Sequence, residues 1–175
     1  AEDFESRAAR YVVVTHEEGR DLRWFINKLA GELDWDFLQQ VFPPIGEGLW
    51  RMHQEGVVHL DVKPANVLLR TSGQPLLLDF GAAQTMDNDN RFGSFQTLTH
   101  GFAPPEQYLD GNLGPWTDIY GLAATIYNCI TGHSPPPALK RRDGASLEKL
   151  TVSRSGAYPY TLLKVVEDAL PLDQG

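Results

Sequence analysis

The stretch His59-Leu60-Asp61-Val62-Lys63-Pro64-Ala65-Asn66, followed thirteen residues later by Asp79-Phe80-Gly81, decides the reading of this 175-residue chain. It sets two acids, an amide and a lysine at short, fixed separations. Asp61 can accept or orient the proton of a hydroxyl. Lys63 can neutralise charge that builds on an anionic group. Asn66 and Asp79 offer hard oxygen donors of the kind magnesium prefers. Either motif alone could arise in an ordinary turn. Both together, in this order and with two further segments downstream, point to one chemistry.

The two motifs resemble the catalytic loop and metal-binding motif of the protein kinase family. Gly101-Phe102-Ala103-Pro104-Pro105-Glu106 resembles the segment that ends that family's activation loop, with Pro-Pro-Glu in place of the commoner Ala-Pro-Glu. Trp116-Thr117-Asp118-Ile119-Tyr120-Gly121 resembles the start of its central buried helix. Lys63-Pro64 followed by Asn66 is the serine/threonine version of the loop, and the wording around Asp79 is most similar to bacterial members. The resemblance implies transfer of the γ-phosphoryl group of ATP, with Mg²⁺, to serine or threonine hydroxyls of a protein substrate. Asp61, Lys63 and Thr99 would be catalytic, with Thr99 bridging the other two. Asn66 and Asp79 would hold the metal.

The same resemblance makes Tyr11 to Leu22 the linker between two lobes. Val14 would then be the gatekeeper, Thr15 and Glu17 would offer backbone groups to adenine, and Asp21 would reach the ribose. Leu68 would form the apolar floor, completing a nucleotide set with Lys63, Asn66 and Asp79. Asp21 is equally well placed to cap a short helix, and Leu68 to be a core leucine. Asp118 would accept hydrogen bonds from the catalytic-loop backbone, and His59 would pack against Phe80. Glu106 pairs with a distant arginine in the family, and no matching residue follows here. Leu60 replaces an arginine that in the family meets a phosphate, which implies regulation of another kind.

No glycine-rich phosphate-covering loop precedes the linker, nor a strand lysine with its acidic partner. The expectation is therefore a mainly α fold, the C-terminal lobe of the α+β kinase-like architecture, with short β-hairpins near the active site. Residues 1–20 would be the end of an N-terminal lobe and hinge, and residues 21–175 a truncated C-terminal lobe. The missing N-terminal lobe becomes an expected partner. A non-catalytic scaffold and a small-molecule phosphotransferase are the alternatives. The intact Asp61, Lys63, Asn66 and Asp79 weigh against the first, and Lys63-Pro64 with Pro-Pro-Glu against the second.

Composition sets outer bounds. With 15 basic and 23 acidic residues the net charge is −8, which argues against a nucleic-acid-coating protein. The basic run Lys140-Arg141-Arg142 reads as a solvated loop. A single cysteine, Cys129, sits in an apolar helical pattern and reads as a core residue in a reducing, cytoplasmic setting. No stretch suggests a membrane-spanning segment.

Periodicity supplies the elements. Tyr11 to Val14 reads as a buried strand broken by Glu17 to Arg20, and Asp21 as the cap of a helix to about Lys28. Phe37, Leu38, Val41, Ile45, Leu49 and Met52 mark a long helix that Pro43-Pro44 should kink or split. Val67 to Leu69 and Leu76 to Leu78 flank a turn and predict a hairpin. Residues 82–97 read as a long loop of the kind that is functional or mobile. Ile119, Leu122, Ile126 and Ile130 mark a helix closed at Gly132, and Thr161 to Leu170 a last one.

Overall fold

The computed structural model describes residues 2–6, 9–13, 15–29, 33–86, 98–109 and 111–172, with backbone only for 2–6 and 9–13. The elements run β1 (Glu2–Ser6), β2 (Ala9–Val13), β3 (Gly19–Asp21), α1 (Leu22–Leu29), α2 (Trp35–Gln54), β4 (Val57–Val58), β5 (Val67–Arg70), β6 (Pro75–Leu77) and β7 (Gln84–Thr85), followed by helices α3 (Pro105–Tyr108), α4 (Pro115–Thr131), α5 (Ala138–Arg142), α6 (Leu150–Ser153) and α7 (Tyr160–Asp168). The architecture is mainly α with short antiparallel strands, as expected. Val14 lies outside the described residues, as do 87–97 of the long loop.

Helix α2 forms one wall of the core. Asp34 caps it, its Oδ1 accepting from the Phe37 N–H at 2.8 Å, and Leu38, Val41, Phe42, Ile45 and Leu49 are buried along one stripe. Each such burial contributes roughly 1.5–3 kcal/mol. The expected break at Pro43-Pro44 does not split the helix, which is continuous over 20 residues. Both prolines lie on the exposed face. The carbonyls they leave without a helical donor, those of Gln39 and Gln40, belong to exposed residues where water can serve.

Helix α4 is the second wall, and its buried face differs from the expected stripe. Ile119 is 44% exposed, and Leu122 and Ile126 are half-buried. The enclosed face is instead built from Tyr120, Ala123, Ala124, Tyr127 and Ile130, with Gly121 beside them. The small residues are there for contact. A Cβ on Gly121 would stand 2.8 Å from the Val62 carbonyl oxygen, so the loop after Asp61 can lie on the helix only over glycine. Gly132 ends the helix at φ 81°, its N–H reaching Asn128 O at 2.9 Å, as its position suggested. Cys129 is fully buried, and burial pushes its thiol well above its ordinary range.

Three smaller expectations change. Residues Gly19–Asp21 form β3, paired to β5, so part of the stretch read as a strand breaker is itself a strand. Helix α1 begins directly at Leu22. The β1–β2 hairpin was not foreseen beyond its second strand. The basic run lies in α5 and is not a solvated loop. There Arg141 is clamped, its Nη2 donating to Leu170 O at 2.7 Å and its Nη1 to the Tyr120 hydroxyl at 3.3 Å. Lys140 and Arg142 are exposed.

Candidate active site

The hairpin β5–β6 forms as its pattern suggested, with Leu68 opposite Leu76. One further backbone bond, Leu78 N–H to Asn66 O at 2.8 Å, carries the ladder on and delivers Asp79 next to Asn66. Asp79 then takes a left-handed backbone, φ 64° and ψ 75°, and its Oδ1 accepts from Gly81 N at 3.2 Å. On the other side, β4 pairs with β7 and leads into His59.

The loop from His59 to Asp61 is held from beneath. Asp118, at the start of α4, accepts from His59 N at 2.8 Å and from Leu60 N at 2.7 Å. These are two buried donors that would otherwise have no partner. Leu60 sits at φ 66°, a conformation that costs an L-residue roughly 1–2 kcal/mol. Its side chain is buried with Val58 and Leu113, against Ala82 and Met86. The place where the family's arginine would be is an apolar nest. His59 donates through Nε2 to Leu78 O at 3.1 Å and accepts through Nδ1 from Asp61 N at 3.3 Å. Those two bonds together require the neutral imidazole with its proton on Nε2. Its ring meets Phe80 edge-on at 5.1 Å, although Phe80 itself is 53% exposed.

Above this floor the chemical groups converge. Lys63 Nζ donates to Asp61 Oδ2 at 2.7 Å and to Thr99 Oγ1 at 3.0 Å, and the Thr99 hydroxyl donates to Asp61 Oδ1 at 3.1 Å. Asn66 Nδ2 donates to Asp61 O at 2.8 Å and to Asp61 Oδ2 at 3.0 Å. The Asn66 amide nitrogen is thereby committed to Asp61. Asp61, Lys63, Asp79 and Thr99 share a cavity of about 320 Å³ with Phe102 and Gln107 on its wall. Its carboxylate oxygens, from Asp61 and Asp79, suit magnesium and not a soft metal.

The residues expected to hold a nucleotide base are less assembled. Asp21 and Leu68 face one another in the β3–β5 register. Yet the Asp21 carboxylate is occupied as a helix cap, accepting from Trp24 N at 2.8 Å, and it meets Arg23 at 3.2 Å. Thr15 is exposed, and Glu17 faces Arg70 at 3.7 Å beside a different cavity, lined by Phe25 and Leu69. The structure thus gathers Asp61, Lys63, Asn66 and Thr99 and leaves Thr15, Glu17, Asp21 and Leu68, the residues expected to meet a base and ribose, spread along an open edge.

Two polar residues of this neighbourhood were not singled out from sequence. His53 Nε2 donates to Asp118 Oδ2 at 2.8 Å, and Gln107 Nε2 donates to Leu60 O at 2.9 Å. The signal for His53 was its place four residues after Leu49, a polar side chain on an apolar stripe. Glu106 is buried without a cation among the described residues, and accepts from the Thr117 hydroxyl at 3.1 Å. No helix among the described residues is long and apolar enough to cross a membrane.

The comparisons agree with this geometry. The family model described as protein kinase domain matches residues 1–162. Serine/threonine-protein kinase PknK of Mycobacterium tuberculosis is 32% identical over 140 residues, covering 77% of this chain and 12% of its own length. PknL of the same organism is 36% identical over 96 residues, covering 54% of this chain and 24% of its own. The solved structure titled PpkA-294 apo form superposes with a TM-score of 0.82 at 30% identity, over 99% of this chain and 61% of that one. The chain therefore spans only part of the proteins it matches. With the Asp61–Lys63–Thr99 cluster seated on Asp118 of α4, and a family match across nearly its whole length, this chain belongs to the protein kinase family, with bacterial serine/threonine kinases among its relatives.

Proposed function

We propose that this chain is the catalytic-loop-bearing lobe of a serine/threonine protein kinase that transfers the γ-phosphoryl group of ATP to protein hydroxyls. It would work with an N-terminal lobe that covers the nucleotide. The observation that carries this reading is the closed triangle of Asp61, Lys63 and Thr99. A scaffold has no physical need to hold an acid, an amine and a hydroxyl within bonding distance over an open cavity.

Asp61 orients the incoming hydroxyl and accepts its proton, a contribution of roughly 10²–10⁴-fold. Lys63 holds positive charge where the transferred phosphoryl group accumulates negative charge. Thr99 bonds both the aspartate and the lysine, which also bond each other, and so holds the pair in a fixed geometry until a substrate hydroxyl arrives. Asn66 pins the Asp61 carboxylate through its amide nitrogen, and Asp79 lines the cavity that Asp61 and Lys63 share. Asn66 and Asp79 would hold Mg²⁺, which when bound neutralises phosphate charge. Val14, Thr15, Glu17, Asp21 and Leu68 form the proposed base and ribose side. Catalysis rests on positioning and charge, with no covalent enzyme intermediate.

The test is a pair of variants in a two-lobed protein carrying this chain. Asp61→Asn and Asp79→Asn are each expected to remove most phosphate incorporation into a protein substrate. Only Asp79→Asn should recover partly at high Mg²⁺ or Mn²⁺, because it alone removes a metal ligand. Identical responses to metal titration would overturn the separate roles.

A further inference from the structure

The Leu60–Asp61 peptide unit is gripped at both ends by side chains from different parts of the fold. Its carbonyl, Leu60 O, accepts from Gln107 Nε2 at 2.9 Å, and its N–H, that of Asp61, donates to His59 Nδ1 at 3.3 Å. A peptide is planar, so fixing both ends fixes the plane from which the Asp61 side chain departs. Gln107 is 6% exposed and sits on α3, eight residues after Thr99. Between them the chain folds back on Thr99, whose carbonyl accepts from Phe102 N and Ala103 N, both at 3.1 Å. One short segment therefore holds Asp61 twice, by its carboxylate through Thr99 and by its backbone through Gln107. Neither the motif resemblance nor the triangle of Asp61, Lys63 and Thr99 requires the second grip.

We infer that Gln107 is a positioning residue for the proposed phosphoryl transfer, holding the Leu60–Asp61 peptide so that the Asp61 carboxylate faces the cavity. The inference rests on the kinase reading for its functional consequence and on geometry alone for the grip. Leu60 needs such support. Its left-handed backbone is a conformation that leucine leaves readily when unconstrained, and Asp118 secures only the N–H on its other side. Gln107 bonds Leu60 O and none of Thr15, Glu17, Asp21, Leu68, Lys63, Asn66 and Asp79, so its loss should lower turnover and leave nucleotide affinity alone.

Glutamate at this position supplies a switchable test. Protonated, Gln107→Glu can donate an O–H to Leu60 O, and ionised it presents an acceptor to an acceptor. Burial raises the carboxyl pKa, so the bond is present at low pH and lost as pH rises through that raised value. The charged groups that share the cavity are Asp61, Asp79 and Lys63, with Asp118 across the Leu60 peptide. Recording wild type over the same pH range removes their titration, and that of His59 and His53, from the comparison.

In the 175-residue chain, NMR of Gln107→Glu is expected to show the Leu60 carbonyl and the Asp61 amide and carboxyl resonances moving together in a titration absent from wild type. They should return to wild-type positions at the acid end. Asp61 resonances that ignore the substituted side chain would overturn the inference, and Gln107→Leu, if it folds, should hold them at the displaced position throughout. In the two-lobed protein, Gln107→Leu should lower kcat about 10–100-fold with KM for ATP within about twofold, the scale expected from small misplacement of a reacting group. An unchanged kcat refutes the positioning role. If wild type itself transfers no phosphate, the kinase reading fails, while the NMR titration still decides whether Gln107 holds Asp61.

Discussion

The catalytic floor and the nucleotide edge of this lobe lie only a strand apart, yet they are built by different rules. Around Asp61 nearly every polar group has a partner from a distant element: α4 through Asp118, α3 through Gln107, and the segment at Thr99. Around Thr15 to Asp21 the side-chain contacts are exposed, Asp21 bonding only within its own helix turn and Glu17 reaching one arginine of β5, and the β3 strand is three residues long. Under the proposed function, the difference teaches that this chain prebuilds the half of the reaction that would handle the hydroxyl. The half that would handle the nucleotide would then depend on something laid over β3 and β5.

The largest expected effect tests that division directly. The 175-residue chain alone should show no measurable phosphate transfer from Mg²⁺-ATP to a protein substrate, despite its closed Asp61–Lys63–Thr99 triangle. Orientation of bound reactants can supply roughly 7–11 kcal/mol of a barrier, and the nucleotide edge offers little of it. Sustained turnover by the purified chain would break the comparison, because the open edge would then be sufficient.

Next in size is the floor itself. Asp118→Ala removes the acceptor for two buried backbone donors and for His53, and should cost about 3–5 kcal/mol in urea unfolding. Asp118→Asn keeps one oxygen and should cost less. A loss under about 1 kcal/mol for the alanine variant would mean that water reaches the loop from beneath, and the floor is not the rigid half.

How much of this was legible in the sequence follows the same line. The catalytic loop, the β5–β6 hairpin, the Asp118 anchor and the His59–Phe80 contact could be read because each rests on residues at fixed short spacing or on a motif. The long-range grips could not. Gln107 reaches Leu60 across 47 positions and Arg141 reaches Leu170 across 29, and no local pattern encodes such pairs. Helix α4 misled because its buried face is chosen by close approach, with Gly121 against Val62, and not by the largest apolar side chains. Burial or exposure decided the proline pair in the same way.

That pair gives the third prediction. Pro43 and Pro44 sit within α2 on its exposed face, where alanine would restore a helical donor without touching the core. Either substitution should stabilise the chain by about 1–3 kcal/mol, a discount on the roughly 3 kcal/mol propensity difference. A destabilised variant in a denaturant titration would show that the prolines shape the wall against which the floor is packed, and that the rigid half depends on them.

The smallest effect falls on the nucleotide edge, at Asp21, where two roles compete for one carboxylate. As a cap it accepts from Trp24 N at 2.8 Å, and removing it by Asp21→Ala should cost about 0.5–2 kcal/mol. Serine caps nearly as well as aspartate, so Asp21→Ser should return most of that stability. It cannot return a carboxylate to a ribose. The two roles therefore separate in one variant: stability near wild type by denaturant titration, and a KM for ATP raised several-fold in the two-lobed protein. If Asp21→Ser leaves KM for ATP unchanged, the carboxylate belongs to α1 alone. The nucleotide edge would then contribute even less to the site than its exposed bonding suggests.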